Sequence, residues 1–257
     1  NKSMKLGPSE GLFSTHKFEG TPSVNNPHPQ KGFLYNGAKN PDLDRFFLSP
    51  SHYALTLYAA LIETKRLNDK SLKEFNKDGS VLDMIGSEHS PGHETNGGSF
   101  GQTISQAAGV AWARRRKKEK GLVWLFLSDG EFQEGQTWEA LMSMAFHKIS
   151  NLKIVVDVNG QQVDGKTCDV MNLEPLLEKI SSFGACVKQV DGHDLVALNN
   201  AFRTIHQDKP LVVLAKTSPF RGMEILEKRY PFLHYVRFKD ENEKEEFKSF
   251  LNDMKLR

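Results

Sequence analysis

Two oxygen-bearing side chains, Asp129 and Asn159, could do chemistry together. Asp129 follows the apolar run 122–127, and Asn159 follows a second apolar run, 154–156. Both runs have the composition of buried strands. The two side chains are therefore predicted to lie at the carboxyl ends of neighbouring parallel strands, with a helix between them. Because Mg²⁺ prefers hard oxygen ligands and commonly shares its shell with phosphates, the pair predicts a magnesium site that can hold a diphosphate.

Alternating strand and helix patterns are expected to position this pair. Helices are predicted over 53–64, 103–117, 135–149, 173–183, 195–206 and 239–251, and strands over 122–127, 153–158, 185–190 and 211–215. Apolar strands that alternate with helices are typical of a parallel sheet with helices on both faces. The predicted architecture is an α/β domain over residues 41–257, preceded by an extended arm over residues 1–40 that is rich in Gly, Pro, Asn and Ser.

Composition limits the classes of partner. The chain has 257 residues, 38% of them hydrophobic, and a net charge of +2, so neither a nucleic-acid nor a membrane-surface partner is expected. The basic run 114–118 is interpreted as a solvated helix end, where the dipole favours cations. Cys168 and Cys186 have no metal-ligand spacing, and a disulfide framework is not expected, so a reducing cytoplasm is the expected location. Neither a membrane-spanning run nor a secretory signal is predicted.

The residues around Asn159 resemble the transketolase family of thiamine diphosphate enzymes. Asp-Gly after a strand is by itself more often an ordinary turn, but the resemblance implies that Asn159 and the backbone carbonyl of Gln161 complete a metal shell begun by Asp129. Ser128, Asp129 and Gly130 would then form a cofactor-binding turn. Ser128 replaces a glycine that is usual in the family, and this small side chain is expected to preserve the turn.

Four further stretches carry the same resemblance, in order along the chain. They are Asp-Arg-Phe-Phe-Leu-Ser-Pro-Ser-His at 44–52, Gly-Ser-Phe-Gly-Gln at 98–102, Asp-Gly-Glu-Phe-Gln-Glu-Gly at 129–135 with Glu139 beyond it, and Val-Asp-Gly-His-Asp at 190–194. Five motifs in register between residues 33 and 236 are far more specific than any one of them. The resemblance implies that Gly98, Ser99 and Phe100 lie beside the cofactor.

Two acidic residues, Glu134 and Glu139, have two interpretations. Acidic side chains near a helix N-terminus are favoured by the dipole and are often simply solvated. The resemblance instead places Glu134 with the cofactor-binding residues, and it places both glutamates in an acidic network that links two cofactor sites at a dimer interface.

Three histidines are implied to be catalytic. His52 would lie near the diphosphate and the transferred two-carbon unit, although a histidine that caps the following helix is about as common. His234 would contact substrate and move protons, a role that suits a side chain titrating near neutral pH; an ordinary surface histidine is the alternative. His89 lies where transketolases carry catalytic histidines, whereas His93 falls where an aliphatic residue is expected.

Two departures from the family pattern shape the expected assembly. Full-length transketolases are much longer, and their second domain holds the glutamate that activates the aminopyrimidine ring. A separately encoded pyrimidine-binding subunit is therefore expected to complete the site, in a two-by-two heterotetramer. Residues 1–40 contain no Ser-Gly-His-Pro-Gly motif, and His16 and His28 lack the right surroundings, so an unusual sugar or sugar phosphate substrate is expected.

The resemblance implies a thiamine diphosphate- and Mg²⁺-dependent transketolase subunit that transfers a two-carbon ketol unit from a ketose to an aldose. The cofactor carries the difficult chemistry, and the protein supplies binding, orientation and proton handling. Two alternatives stay open: a 2-oxo-acid dehydrogenase alpha-type subunit or deoxyxylulose phosphate synthase relative, and a non-catalytic assembly subunit. Retention of both Asp129 and Asn159 counts against the second, because a subunit that never uses Mg²⁺ has no physical need for both.

Overall fold

The computed structural model describes residues 3–7, 40–163, 165–235 and 237–255. Its strands are β1 (Arg45–Leu48), β2 (Val123–Ser128), β3 (Leu152–Val158), β4 (Gln161–Gln162), β5 (Gly165–Lys166), β6 (Cys186–Asp191) and β7 (Leu211–Lys216). Its α-helices are α1 (Ala54–Glu63), α2 (Gln102–Arg116), α3 (Gly135–Phe146), α4 (Thr167–Val170), α5 (Leu176–Ser182), α6 (Leu195–Phe202) and α7 (Glu241–Lys255).

Five strands form one parallel sheet in the order β1-β2-β3-β7-β6. Different helices cover its two faces. Along β7, Val212 and Leu214 join the core cluster built with α2, α3 and α5, whereas Leu211 and Val213 pack with α6. Burial on both faces is what a parallel sheet requires. The predicted α/β fold, a parallel sheet with helices on both faces, is confirmed.

The predicted element boundaries differ from the observed ones in several places. The strand β1 was not predicted, because its four residues are too few for a periodic signal; they pair in parallel with β2. The helix α3 ends at Phe146 rather than 149, and Lys148 beyond it has a φ of +53°, which cannot continue a right-handed helix. The short strands β4 and β5 form a separate antiparallel pair directly after β3.

Only a short part of the predicted N-terminal arm can be compared with the structure, since residues 8–39 lie outside the described ranges. The described segment 3–7 runs beside the start of β1. The Lys5 amide donates to Asp44 Oδ2 at 2.9 Å, and the Asp44 amide donates to the Lys5 carbonyl at 2.9 Å. This segment is therefore fixed to the domain by hydrogen bonds to the backbone and the side chain of Asp44, and the arm itself stays a prediction.

The interpretation of the basic run 114–118 as a solvated helix end is wrong for Arg114. That side chain is buried, and its Nη2 donates to the carbonyls of Pro41 at 2.9 Å and Leu43 at 2.7 Å. The other four residues of the run are exposed, as expected. A guanidinium carries several donors in a fixed geometry, so a single buried arginine can hold the whole turn before β1 against the end of α2.

Two further predictions from the sequence concern the cysteines and the membrane-spanning potential of the helices. Cys168 and Cys186 are both free thiols. Within the part of the chain that the structure describes, no helix combines the length and apolar character needed to cross a bilayer.

Candidate functional site

A cleft of about 660 Å³ opens at the carboxyl ends of β2 and β3. Ser128 at the end of β2 pairs in register with Asp157 of β3, so the loops that follow the two strands are neighbours. The polar and aromatic residues that line the cleft are His52, Tyr53, Phe100, Ser128, Asp129, Gln133, Asn159, Gln161, Gln162 and His234. Open α/β sheets bind their ligands in this position.

A second cavity, of about 570 Å³, lies over the sheet beside α6. Its lining is mostly apolar, with Ser3 and Asn199 as its polar members, and the described residues give it no ionisable side chain. Ligand sites combine apolar walls with a few convergent polar or charged groups. The cleft that contains Asp129 is therefore the candidate functional site.

Asp129 is a buried carboxylate held by backbone amides. Its Oδ1 accepts from the Gly130 amide at 2.8 Å, and its Oδ2 accepts from the Gly160 amide at 3.0 Å and from Thr167 Oγ1 at 3.4 Å. Gly160 has a φ of +68°, which glycine adopts readily and which orients its amide in this turn. Burial raises the pKa of Asp129 to about 6, and the two backbone hydrogen bonds offset part of that rise. Among the described residues no lysine or arginine lines the cleft, so a bound cation would supply a countercharge.

The side chain of Asn159 is oriented by a small hydrogen-bond network. Its Nδ2 donates to Asp157 Oδ2 at 2.9 Å and to the Tyr53 hydroxyl at 3.1 Å, while its Oδ1 accepts from the Gln161 amide at 2.9 Å. Tyr53 in turn donates to Asp157 Oδ2 at 3.1 Å, and Thr217 donates to Asp157 Oδ1 at 2.5 Å. Burial, followed by the nearby Asp157, raises the pKa of Tyr53, so the phenol stays protonated. The amide oxygen of Asn159 thus has a fixed direction.

The oxygen atoms at this end of the sheet fit a magnesium ion. Asp129, Asn159 and the Gln161 carbonyl would together present a carboxylate, an amide oxygen and a backbone oxygen, the ligand types that suit Mg²⁺. The side-chain Oε1 of Gln161 is also buried, with no hydrogen-bond partner among the described residues, and such an orphaned acceptor could be satisfied by a bound cation or its water. Within the described ranges no group of three or more His, Cys, Asp and Glu side chains could hold a metal.

Two of the three predicted catalytic histidines meet in the cleft. The rings of His52 and His234 lie 6.2 Å apart, and the His52 ring lies 5.8 Å from that of Phe100. Partial burial lowers the pKa of His52, and His234 lowers it further, because two imidazolium charges would repel each other. His52 is therefore neutral near pH 7 and available as a proton acceptor.

The third histidine, His89, does not line the cleft. Its Nε2 lies 2.6 Å from Asp83 Oδ2, and its Nδ1 lies 2.8 Å from Ser87 Oγ, so these partners belong to its own loop. Its catalytic role stays a prediction. His93 is buried beside Tyr58, its ring nitrogens have no hydrogen-bond partner within the described ranges, and burial lowers its pKa to about 4. It therefore occupies its position as a neutral, space-filling ring.

The glycine-rich loop contributes one aromatic side chain to the cleft. Phe100 lines it, whereas Gly98 and Ser99 are exposed and do not. Gly101 is the N-cap residue immediately before α2, with a φ of +79°, and a Cβ there would lie 3.0 Å from the Cβ of Glu134. Glu134 is itself exposed, immediately before α3, and does not line the cleft. The cofactor-binding roles of Gly98, Ser99 and Glu134 stay predictions.

Sequence reasoning missed several polar residues of the cleft. Tyr53 was assigned only to a buried helix, and Asp157 only to a strand, yet both orient Asn159. Gln133 and Gln162 were also overlooked; each side-chain amide donates to the other at 2.8 Å. Only Asp157 could have been found from the sequence. It is an acidic residue inside an otherwise apolar run, and such a residue usually marks a functional site or a paired charge.

Comparisons with known proteins show which family the chain resembles. The profile of the family described as "Transketolase, thiamine diphosphate binding domain" matches residues 32–223. A protein of Sinorhizobium fredii named putative uncharacterized transketolase family protein y4mO is 42% identical over 72% of this chain and 68% of its own length. An apulose-4-phosphate transketolase subunit of Actinobacillus succinogenes is 32% identical over 79% and 75% of the two chains. The 6-deoxy-6-sulfo-D-fructose transketolase subunit SqwG of a Clostridium species is 33% identical over 73% and 69%.

Solved structures show the same similarity. Transketolase from Campylobacter jejuni superimposes with a TM-score of 0.67 at 26% identity, covering 73% of this chain and 32% of that one. A transketolase variant from Pichia stipitis gives a TM-score of 0.66 at 26% identity, covering 71% and 29%. The chain therefore spans about a third of the length of these solved transketolases. Both comparisons favour the transketolase prediction over the 2-oxo-acid dehydrogenase alternative.

Proposed function

The chain belongs to the transketolase family, as its thiamine diphosphate binding domain, and from that membership we propose that it is the cofactor-binding subunit of a two-chain transketolase. It would transfer a two-carbon ketol unit from a ketose, or a ketose phosphate, to an aldose. The observation that carries this proposal is the placement of Asp129 and Asn159 at the ends of adjacent strands, in one cleft with His52 and His234.

The binding of cofactor and metal is assigned to this cleft. Asp129, Asn159 and the Gln161 carbonyl would hold Mg²⁺, which would in turn bind the diphosphate. When bound, thiamine diphosphate supplies the carbanion chemistry that two-carbon transfer requires. Ile85 and Phe100 form an apolar part of the lining. Once a second subunit covers it, this part would exclude water and strengthen the electrostatic interactions beside it.

The handling of protons is assigned to His52 and His234. Burial, followed by the nearby His234, lowers the pKa of His52, so the ring is neutral near pH 7 and one nitrogen has a free lone pair that can take a proton from a substrate hydroxyl. His234, 6.2 Å away between ring centroids, lies close enough for one small substrate to reach both rings.

A second subunit is proposed because large apolar side chains are exposed in this cleft and next to His234 in the sequence. Ile85 and Val163, which line it, are 56% and 51% exposed, and Phe232 and Tyr235, which flank His234, are 68% and 71% exposed. Apolar patches of this kind mark protein contacts. Two relatives that align over 75% and 69% of their length are named as transketolase subunits. A pyrimidine-binding transketolase subunit that covers this surface in a cytoplasmic heterotetramer is the partner we propose.

The decisive experiment is a two-carbon transfer assay on the chain co-expressed with a candidate pyrimidine-binding subunit. The donors would include apulose 4-phosphate and 6-deoxy-6-sulfofructose, because two relatives are named for those substrates. We expect transfer that requires both chains, Mg²⁺ and thiamine diphosphate, and that disappears in Asp129→Ala. A folded complex that binds the cofactor but transfers from no sugar would instead favour the non-catalytic assembly role.

A further inference from the structure

A fully buried carboxylate, Glu131, lies just behind the candidate metal site. Its side chain is 0% exposed and does not line the cleft. Its Oε1 accepts from the Ser128 amide at 3.1 Å and from Ser128 Oγ at 3.5 Å. Its Oε2 accepts from Ser49 Oγ and from the Gly101 amide at 3.5 Å. One carboxylate thus joins three segments that are far apart in the sequence.

Each of these three segments carries part of the cleft. Ser49 begins the turn that leads to His52, and Gly101 directly follows Phe100 at the start of α2. Ser128 ends β2 and immediately precedes Asp129. Glu131 therefore connects two sides of the cleft. We call the side formed by His52 and Phe100 the histidine-bearing wall, and the side formed by Asp129 the metal-binding floor.

From this arrangement we propose that Glu131 is a positioning residue that sets the distance between the histidine-bearing wall and the metal-binding floor. The proposal rests on the proposed function, because it concerns the same cleft. The buried Glu131 carboxylate is not accessible to a ligand in the cleft, so its action passes through Ser49, Gly101 and Ser128.

The surrounding packing leaves little room for the wall to shift independently. A Cβ at Gly97 would lie 2.0 Å from Ser51 Oγ and 2.7 Å from the Ser49 carbonyl oxygen. The glycine-rich loop is therefore in close contact with the turn after β1, and the two must move together. Close-packed interiors transmit such displacements rather than absorb them, so a change at Glu131 is expected to reach His52 and Phe100.

The test compares Glu131→Gln and Ser49→Ala with a matched control, Asp44→Asn. Asp44 is also a buried carboxylate next to β1, but at the opposite end of the strands, where it accepts from the Lys5 and Leu122 amides and from Trp124 Nε1. Loss of one such carboxylate is expected to lower thermal stability in either place. A merely structural role therefore predicts the same behaviour from the control as from the two test variants.

Two readouts separate positioning from general stability. The first is amide hydrogen exchange at Ser128 and Gly101 in the metal-free protein, which we expect to speed up about tenfold in Glu131→Gln but not in Asp44→Asn. The second is the dissociation constant of thiamine diphosphate, measured with Mg²⁺ in the complex with the partner. We expect it to rise about tenfold in Glu131→Gln and in Ser49→Ala, the loss typical of an outer residue that orients ligands, and to stay within about twofold in Asp44→Asn.

The outcomes are distinguishable. If the wild-type complex binds cofactor and both test variants match Asp44→Asn in affinity, the positioning role of Glu131 is overturned. If the wild-type complex binds no cofactor, the proposed function fails, and the exchange rates alone decide whether Glu131 links the three segments. Should Glu131→Gln not fold, Ser49→Ala supplies the same comparison with a smaller change.

Discussion

The two ends of the parallel sheet place buried polar residues in different surroundings. At the amino ends of β1 and β2, Asp44 accepts three hydrogen bonds from the chain itself, and buried Arg114 donates to carbonyls of the preceding turn. At the carboxyl ends, buried Asp129 also accepts three hydrogen bonds from the chain, but it lines an open cleft whose described lining contains no lysine or arginine. In the same cleft the buried Oε1 of Gln161 has no partner among the described residues. Both carboxylates are held by hydrogen bonds, so the carboxyl end is distinguished as a binding site by its access to a ligand and by an acceptor left without a partner.

The largest expected effect is at Asp129. The substitution Asp129→Asn preserves the shape of the side chain but removes the carboxylate of the proposed metal site, so we expect the affinity for Mg²⁺ with thiamine diphosphate to fall about 100-fold or more. Calorimetric titration of the two-chain complex measures this loss. An Asp129→Asn variant that binds the cofactor as tightly as Asp44→Asn would remove the distinction between the two ends.

The next largest effect is a loss of stability at the amino ends of the strands. The substitution Arg114→Met removes the donor to the Leu43 carbonyl and leaves Glu119 without its ion-pair partner at 3.0 Å, so we expect the free energy of unfolding to fall by about 2 kcal/mol. Urea denaturation measures this change. The cofactor affinity of the folded variant should match that of the wild type. A large loss of affinity with unchanged stability would show that this end also serves the site.

Acidic pH should weaken Mg²⁺ binding at the carboxyl end of the sheet without destabilising the metal-free fold there. Because burial raises the pKa of Asp129 from 3.8 to about 6, the folded metal-free protein holds this proton more tightly than the unfolded chain does. Its contribution to stability is therefore present at low pH and is lost as the pH rises from about 4 to 6. Mg²⁺ must displace the proton, so its affinity should fall about tenfold per pH unit below about pH 6. Titrations at constant ionic strength that give equal affinities at pH 5 and pH 6 would contradict this assignment.

The smallest expected effect is at Tyr53. The substitution Tyr53→Phe removes the hydroxyl that contacts both Asn159 and Asp157, while the bond from Asn159 to Asp157 at 2.9 Å remains. We therefore expect Mg²⁺ affinity to fall about fivefold, less than the tenfold or more that losing an outer ligand partner often costs. The matched control is Tyr58→Phe, which removes a hydroxyl bonded to the Asp83 carbonyl, away from the cleft. Equal affinities in the two variants would mean that Tyr53 does not orient Asn159.

The sequence was sufficient to place Asp129 and Asn159 at the ends of neighbouring strands, because apolar runs separated by a helix determine both the strands and their parallel direction. It was not sufficient to find the contacts that hold them. Tyr53 meets Asp157 across 104 positions, and Glu131 meets Ser49 across 82. Such contacts depend on how distant segments pack, and no local period encodes them. Arg114 was misjudged for the same reason, since its carbonyl partners lie more than 70 residues earlier.

The reciprocal amide pair between Gln133 and Gln162 has a consequence for ionic strength. These neutral side chains fasten the β4–β5 ribbon to the turn after β2 with two hydrogen bonds of 2.8 Å, and neither bond involves a net charge. Dissolved salt screens charges strongly but affects neutral hydrogen bonds little. Added salt should therefore weaken the attraction between the proposed metal site and an anionic cofactor while leaving the attachment of the ribbon to the turn after β2 intact, so that the proposed binding would return when the salt is diluted.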